Sequence, residues 1–311
     1  MHPSKFSYVA GGVARNISEA LSKMGSSPTF ITAIGDDETG RLLSSMMTED
    51  LMKRAKIIKG KNTAQCIIVL DPQGDCSCLF ADFEIHKQIT PEMIIKNEEK
   101  ISTAKLIVLD GNLTIKSIQQ VLELATNYNI AVFFEPTDVI VSAKPFETNY
   151  WKAVKFITPN VQELLYIATK LNIVSPSIKN KFEGIEEISE VAKSLANYID
   201  NVIVTLGSNG ILIARRADAS QPFLLASNEK DVRIRHYPAE IIENIVNVSG
   251  AGDCFASGLI MSMLEGKPED ICISVGLSAA RQSLQSSFTV AKNMFDQNHS
   301  CWKSHARYIE I

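Results

Sequence analysis

The 311-residue sequence predicts an α/β protein, with a three-layer α/β/α core carrying a small β-sheet lid. Three observations lead there. Short β-branched runs recur along most of the chain and are almost continuously apolar, as parallel strands covered on both faces are. Segments with apolar residues at helical spacing lie between them, so strand–helix–strand units with right-handed crossovers follow. One stretch, Thr63 to Ile85, breaks the rhythm with two strands and no helix between them.

Taken in order, "AGGVARNISEALSKMG" (10–25) opens with Gly11 and Gly12 and continues as an amphipathic helix. Val13, Ile17, Leu21 and Met24 form its apolar stripe, with Ala20 beside it. "TFITAIG" (29–35) reads as a strand. "TAQCIIVLDPQGDCSCLFADFEI" (63–85) reads as a hairpin turning at "DPQGD", and "KFSYVA" (5–10) is a candidate third strand beside it. The lid is drawn as 1–10 and 56–86, the core as 11–55 and 87–311. A lid that excludes water and an ornamental surface hairpin are equally compatible with this pattern. "KLIVLD" (105–110), "IAVFFE" (130–135), "VKFITP" (154–159), "NVIVTLG" (201–207), "ILIAR" (211–215) and "NIVNV" (244–248) complete the strands. "IKSIQQVLELATNY" (115–128) and "IEEISEVAKSLANYI" (185–199) are helices, as is the apolar "CFASGLIMSML" (254–264).

Composition removes several function classes. A net charge of −4 lacks the basic excess of a nucleic-acid binder, and no run of 18 apolar residues calls for a membrane span. No secretory signal is visible, so a cytoplasmic setting is expected. The six cysteines are scattered, as suits reduced thiols. Cys76 with Cys78, and His299 with Cys301 and His305, do not supply four zinc ligands.

Four segments carry chemistry. In "NVSGAGDCFASGLI" (247–260), Gly250, Ala251 and Gly252 precede an apolar helix, so their amides form an anion hole at its positive end. Asp253, kept ionised by the helix dipole, can accept a hydroxyl proton; an N-cap Asp on a buried helix is the competing explanation. "TLGSNG" (205–210) brings Thr205, Gly207, Ser208 and Gly210 into a turn that could fold over nucleotide phosphates, or serve only as a hairpin turn. "TPNVQELL" (158–165) places Asn160 and Glu163 one helical turn apart, suited to hydrated Mg²⁺; a helix cap with a Glu in the first turn explains them as well. In the first segment Gly11 and Gly12 leave room for a ligand, and Asn16 can hydrogen-bond sugar hydroxyls. No Walker motif and no dinucleotide-binding glycine fingerprint is present.

These segments, in this order, resemble the ribokinase-like (PfkB) family of carbohydrate and nucleoside kinases. "GGVARNISEALSKMG" looks like its amino-terminal glycine motif and "NVSGAGDCFASG" like its carboxy-terminal signature. "ADFEI" (81–85), "FFEPTDVIVSAKPF" (133–146) and "AARQSLQSSFTV" (279–290) narrow the resemblance to the pseudouridine-phosphorylating members. The resemblance implies a ribokinase-like core and ATP-dependent phosphorylation of the 5′-hydroxyl of pseudouridine. Asp253 would be the base, and the Gly250, Ala251 and Gly252 amides the anion hole. Asn160 and Glu163 would position Mg²⁺. Thr205, Gly207, Ser208, Gly210 and Asn160 would contact ATP. Gly11, Gly12 and Asn16 would hold the ribose, with Thr63, Asp82, Asp110 and Asn112 as further substrate contacts. The implied partner is a small-molecule nucleoside, not nucleic acid or membrane, with a homodimer through the lid as a further option.

Two departures from the family accompany the resemblance. Its members begin with a core strand whose aspartate grips the sugar, and the expectation here is a core lacking that first strand. Asn247 stands where many relatives have Asp, which leaves K⁺ activation open. Two other readings compete: a kinase of another ribosyl substrate, such as ribose or a purine nucleoside, and a non-catalytic ligand-binding homologue.

Overall fold

The computed structural model describes residues 8–70, 76–174, 182, 184–225 and 229–311. Helix α1 (Val13–Lys23) starts at Gly12, whose φ of 103° lies in a region that side-chain-bearing residues avoid. Its apolar stripe is buried as the spacing predicts, through Ile17, Ala20 and Leu21. Strand β1 (Thr32–Gly35) is followed by α2 (Glu38–Met46) and α3 (Glu49–Met52), then pairs in parallel with β2 (Ala55–Ile58). The hairpin strands β3 (Gln65–Leu70) and β4 (Cys76–Asp82) pair antiparallel, and the "DPQGD" turn lies outside the described residues. Helices α4 (Pro91–Ile95) and α5 (Glu98–Ile101) lead to the main sheet.

That sheet begins with four parallel strands: β5 (Ile107–Asp110), β6 (Val132–Glu135), β7 (Val154–Ile157) and β8 (Asn201–Thr205). Helix α6 (Ile115–Asn127) joins the first two, and α7 (Val161–Lys170) with α8 (Ile185–Leu195) joins the last two. Strands β9 (Ile211–Arg215), β10 (Arg233–Tyr237) and β11 (Ile309–Glu310) extend the sheet antiparallel. The order is β11-β10-β9-β8-β7-β6-β5, with α9 (Ala251–Leu264) and α10 (Glu269–Leu284) preceding the last strand in sequence.

Strand side chains alternate between faces, and this sorts the core into two layers. Phe133, Phe156, Ile203 and Ile211 pack with α1, α9 and α10. Val132, Phe134, Ile157, Val202 and Leu212 pack with α6, α7 and α8. The expected three-layer arrangement is therefore present. Helix α9 is buried nearly all round, which explains its unbroken apolar composition.

Two expected strands need correction. "NIVNV" (244–248) is not a strand: Ile245, Val246 and Val248 are exposed, and Val246 N and Asn247 N donate to Leu284 O, at the end of α10, at 2.8 and 3.2 Å. A β-branched run without a neighbouring strand has nothing to pair with. Lys5 to Ser7 lie outside the described residues, and Tyr8 to Ala10 form no strand. Ala10 O is instead taken by Thr289 Oγ1 at 2.7 Å and Arg15 Nη2 at 3.0 Å, which tethers the segment to the core. The main sheet is mixed, its last three strands joining antiparallel. Strand β2, within which the boundary at residue 56 falls, pairs with β1, and among the described residues β3 and β4 form a sheet of their own.

Candidate active site

Gly250 caps α9 at φ 84°, and a Cβ there would lie 2.3 Å from Thr289 O. Only glycine fits both the dihedral and the close approach. The helix therefore begins at Ala251, earlier than the sequence suggests, and Asp253 occupies its first turn rather than the cap. The first amides of α9 have no partner within the helix and carry its positive end. Gly252 is exposed with open space beside its Cα, so a ligand can approach this terminus.

The carboxylate of Asp253 faces α1. Asn16 Nδ2 donates to Asp253 Oδ2 at 2.6 Å. Burial pushes the Asp253 carboxyl up to about 6, against the lowering by Asn16 and Arg15 and with the Asp110 carboxylate adding to the rise. It is thus ionised near neutral pH yet a stronger base than an exposed aspartate. Asp110 ends β5 and accepts from Ala14 N at 3.2 Å, so it neutralises the N-terminus of α1. Asn112 donates to the same carboxylate through its backbone N at 3.0 Å and its side chain at 3.2 Å. Gly12, Asn16, Asp110, Asn112 and Asp253 consequently share one corner.

A second group gathers at the ends of β7 and β8. Asn160 caps α7 by accepting from Gln162 N and Glu163 N at 2.9 and 3.0 Å. Glu163 Oε2 answers by accepting from Asn160 N at 2.8 Å, which completes a capping box. Burial pushes Glu163 up to about 7. Asn160 bridges to Thr205, and beyond it Gly207 and Gly210 take φ of 60° and 95° around the exposed Ser208. A Cβ on Gly210 would stand 2.0 Å from Tyr237 O, so the turn is pinned against β10.

Between the two groups stands Glu135, to which the sequence alone assigns no role. Burial first, then the carboxylates of Asp253, Glu163 and Asp110, hold it well above the ordinary carboxylate range. Thr137 N donates to its Oε2 at 2.7 Å. The available signal was an acid at the very end of an apolar strand. Asp110, Glu135 and Thr205 all close parallel strands, and open α/β sheets place ligands at that edge.

The Thr63 hydroxyl is buried, donates to Asp37 Oδ1 at 2.6 Å and accepts from Gly35 N at 2.9 Å; it holds the corner between β1 and α2. Asp82 closes the hairpin and accepts from Glu84 N at 3.1 Å. Gly11 is exposed, with no atom within 4 Å of where its Cβ would be.

The model of the pfkB family of carbohydrate kinases matches residues 1–294. A pseudouridine kinase of Arabidopsis thaliana is 27% identical, with 91% of this chain and 84% of that one covered. A pseudouridine kinase of Escherichia coli is 25% identical, with 91% and 83% covered. Among solved structures, Arabidopsis thaliana ribokinase complexed with ribose and ATP has a TM-score of 0.72 at 20% identity, covering 95% of this chain and 87% of that one. That likeness speaks for the fold. No helix of the described residues is long and apolar enough to cross a membrane.

Proposed function

The chain belongs to the pfkB carbohydrate kinase family, and from this we propose that it transfers the γ-phosphoryl group of ATP to the 5′-hydroxyl of pseudouridine. The observation that carries the reading is Asp253, held by Asn16 at the amino-terminal mouth of α9. In this reading the acceptor hydroxyl lies against Asp253, which takes its proton as the oxygen attacks phosphorus. The amides that open α9 stabilise the charge spread over the transferring group. Asn16 and Asp110 orient the ribose beside the base. Thr205 and the Gly207–Gly210 turn lie along the nucleotide phosphates.

The donor set suits a hydrated cation carried on those phosphates. Among the described residues no three His, Cys, Asp or Glu side chains converge to ligate an ion directly. Yet the carboxylates of Asp253, Glu163 and Asp110 all act on the buried Glu135, and a cation nearby would relieve that crowding. Mg²⁺ would be held through water by Asn160 and Glu163, and when bound it supplies charge neutralisation of the phosphates. The pseudouridine kinases among the relatives support the choice of nucleoside.

A panel of pseudouridine, uridine, adenosine and ribose with Mg·ATP tests the assignment, product being identified by phosphorus NMR. Pseudouridine is expected to give kcat/KM at least about tenfold above the others, the equivalent of one well-placed hydrogen bond. Equal or better turnover of ribose or adenosine would replace the substrate, and no product from any acceptor would replace the enzyme reading with a binding one. The β3–β4 ribbon, which exposes Ile67, Ile68 and Phe80, is the element proposed to close over the nucleoside. Its amides are expected to gain protection from hydrogen exchange at saturating nucleoside, and unchanged exchange there argues for an ornamental hairpin.

A further inference from the structure

We propose that Arg15 and Thr289 are positioning residues for the catalytic base, fixing the Asn16 carboxamide so that its NH₂ end faces Asp253. The inference rests on the reading of Asp253 as the base. A carboxamide has two ends of similar shape and opposite polarity. Its NH₂ end stabilises an ionised Asp253, whereas its oxygen would repel that carboxylate. Which end faces Asp253 therefore decides how readily the base ionises.

Arg15 makes that decision chemically. A guanidinium has donors and no acceptor and stays charged, so Arg15 can meet only the oxygen end of the amide. Its Nη2 donates to Asn16 Oδ1. The amide nitrogen is then left to donate to Asp253 Oδ2 at 2.6 Å. Arg15 is itself held from three directions. Nη1 pairs with Glu19 one turn along α1, while Nη2 donates to Ala10 O at 3.0 Å and to Thr289 Oγ1 at 3.1 Å.

Thr289 ties this arrangement to the anion hole. Its hydroxyl has one proton and two acceptors in reach, Ala10 O at 2.7 Å and Asn16 Oδ1 at 3.2 Å. The shorter contact takes the proton, so Thr289 anchors the entry to α1 and offers its oxygen to Arg15. Its carbonyl accepts from Ser283 Oγ at 2.9 Å and lies against Gly250, whose missing Cβ makes the approach possible. The three side chains Arg15, Asn16 and Thr289 are 5%, 4% and 6% exposed, so water does not compete for these bonds. One contiguous set of buried groups thus joins the start of α1, the end of α10 and the mouth of α9.

The charges that act on Asp253 come from every side. Burial and then Asp110 at the end of β5 oppose its ionisation, and Asn16 and Arg15 on α1 favour it. Glu135 at the end of β6, itself held well above the ordinary range, stays protonated while Asp253 ionises. Cys254, next along α9, is a thiol that burial pushes up to about 12, so it stays neutral. Losing Arg15 removes the favourable charge and frees the amide to turn over.

The experiment uses the full chain with Arg15→Met, Thr289→Val and Thr289→Ser. The Asp253 carboxyl is titrated by carbon NMR, and single-turnover rates are measured from pH 5 to pH 9. Arg15→Met is expected to raise the Asp253 midpoint, and with it the acid limb of the rate profile, by about one pH unit or more. Rates then fall more at pH 6 than at pH 8. Thr289→Val is expected to shift both in the same direction, and Thr289→Ser to restore them, because serine keeps the hydroxyl. An unmoved Asp253 midpoint in folded Arg15→Met overturns the proposal. Should Arg15→Met not fold, identical midpoints in the valine and serine variants overturn it instead. The titration needs no turnover, so the two failures are distinguishable. A wild type inactive on every acceptor removes the kinase reading and with it the role of base, whereas an unmoved midpoint in an active enzyme removes the positioning role alone.

Discussion

Asp253→Asn is expected to slow single-turnover phosphoryl transfer by about 10²–10⁴-fold, the range for losing a general base. The amide keeps the size of the carboxylate and can still accept from Asn16 Nδ2 through its oxygen. Acceptor affinity should therefore change far less than the rate, because Asn16, Asp110 and the α9 amides remain. Folding should survive, since Gly250 and not Asp253 caps the helix. The sign of the pH linkage supports this. The Asp253 carboxyl is raised from 3.8 to about 6 in the folded protein, so the fold binds its proton more tightly than the unfolded chain does. Its contribution to stability is most favourable at low pH and declines as pH rises from 3.8 through about 6. Above that window the asparagine variant is spared a buried charge, against a loss of about 0.3–1 kcal/mol of helix-dipole attraction. Thermal melts of the two proteins at pH 7.5 should consequently nearly coincide. Retention of most of the wild-type rate by a folded variant would show that Asp253 is not the base.

How far the sequence could be read follows from the range of each interaction. Strands β6, β7 and β8 were legible because both faces are covered and the runs are apolar throughout. Helices α1, α6 and α8 were legible because their stripes repeat at helical spacing. "NIVNV" has the same local composition as those strands but no neighbour, and composition does not report neighbours. Strand β10 was missed for the opposite reason: "RIRHY" carries Arg233 and Arg235, and Arg235 is buried only because Glu269, 34 residues on, receives it. At the site, the "GAGD", "TLGSNG" and "TPN" segments were legible as local turns and helix starts. Arg15 and Thr289 were not, since they meet across 274 residues of sequence. Glu135 acquires its character from burial and then from carboxylates on three other elements, which no window along the chain contains.

Glu269→Gln should destabilise the protein more than any single change at the active site. The side chain is fully buried at the start of α10 and receives both Arg235 Nε and Nη2 at 2.6 Å. Tyr237 OH donates to it at 2.7 Å and Arg215 Nη1 at 3.3 Å. Among the described residues Arg215 Nε and Arg235 Nη1 already lack partners, so the cluster has no spare acceptor. Two guanidiniums share one carboxylate, and burial, with the Arg235 charge adding to it, lowers the pKa of Arg215 against the pull of Glu269. Glutamine preserves the volume but removes the negative charge, leaving both cations uncompensated. Breaking a buried ion pair from one side costs about 3–5 kcal/mol, a fall in melting temperature on the order of 10 °C. The effect should reach the Gly207–Gly210 turn, proposed to lie along the nucleotide phosphates, because Tyr237 bonds Glu269 through its hydroxyl while its carbonyl abuts Gly210. Below the melting transition, KM for ATP is therefore expected to rise more than KM for the nucleoside. Replacing all three charges together, as Arg215→Met, Arg235→Met and Glu269→Leu, removes the desolvated ions along with their attraction and is expected to regain most of the lost stability. A melting temperature within about 2 °C of wild type for Glu269→Gln would mean that water reaches the cluster and screens it, and the structural role assigned to Glu269 would fall.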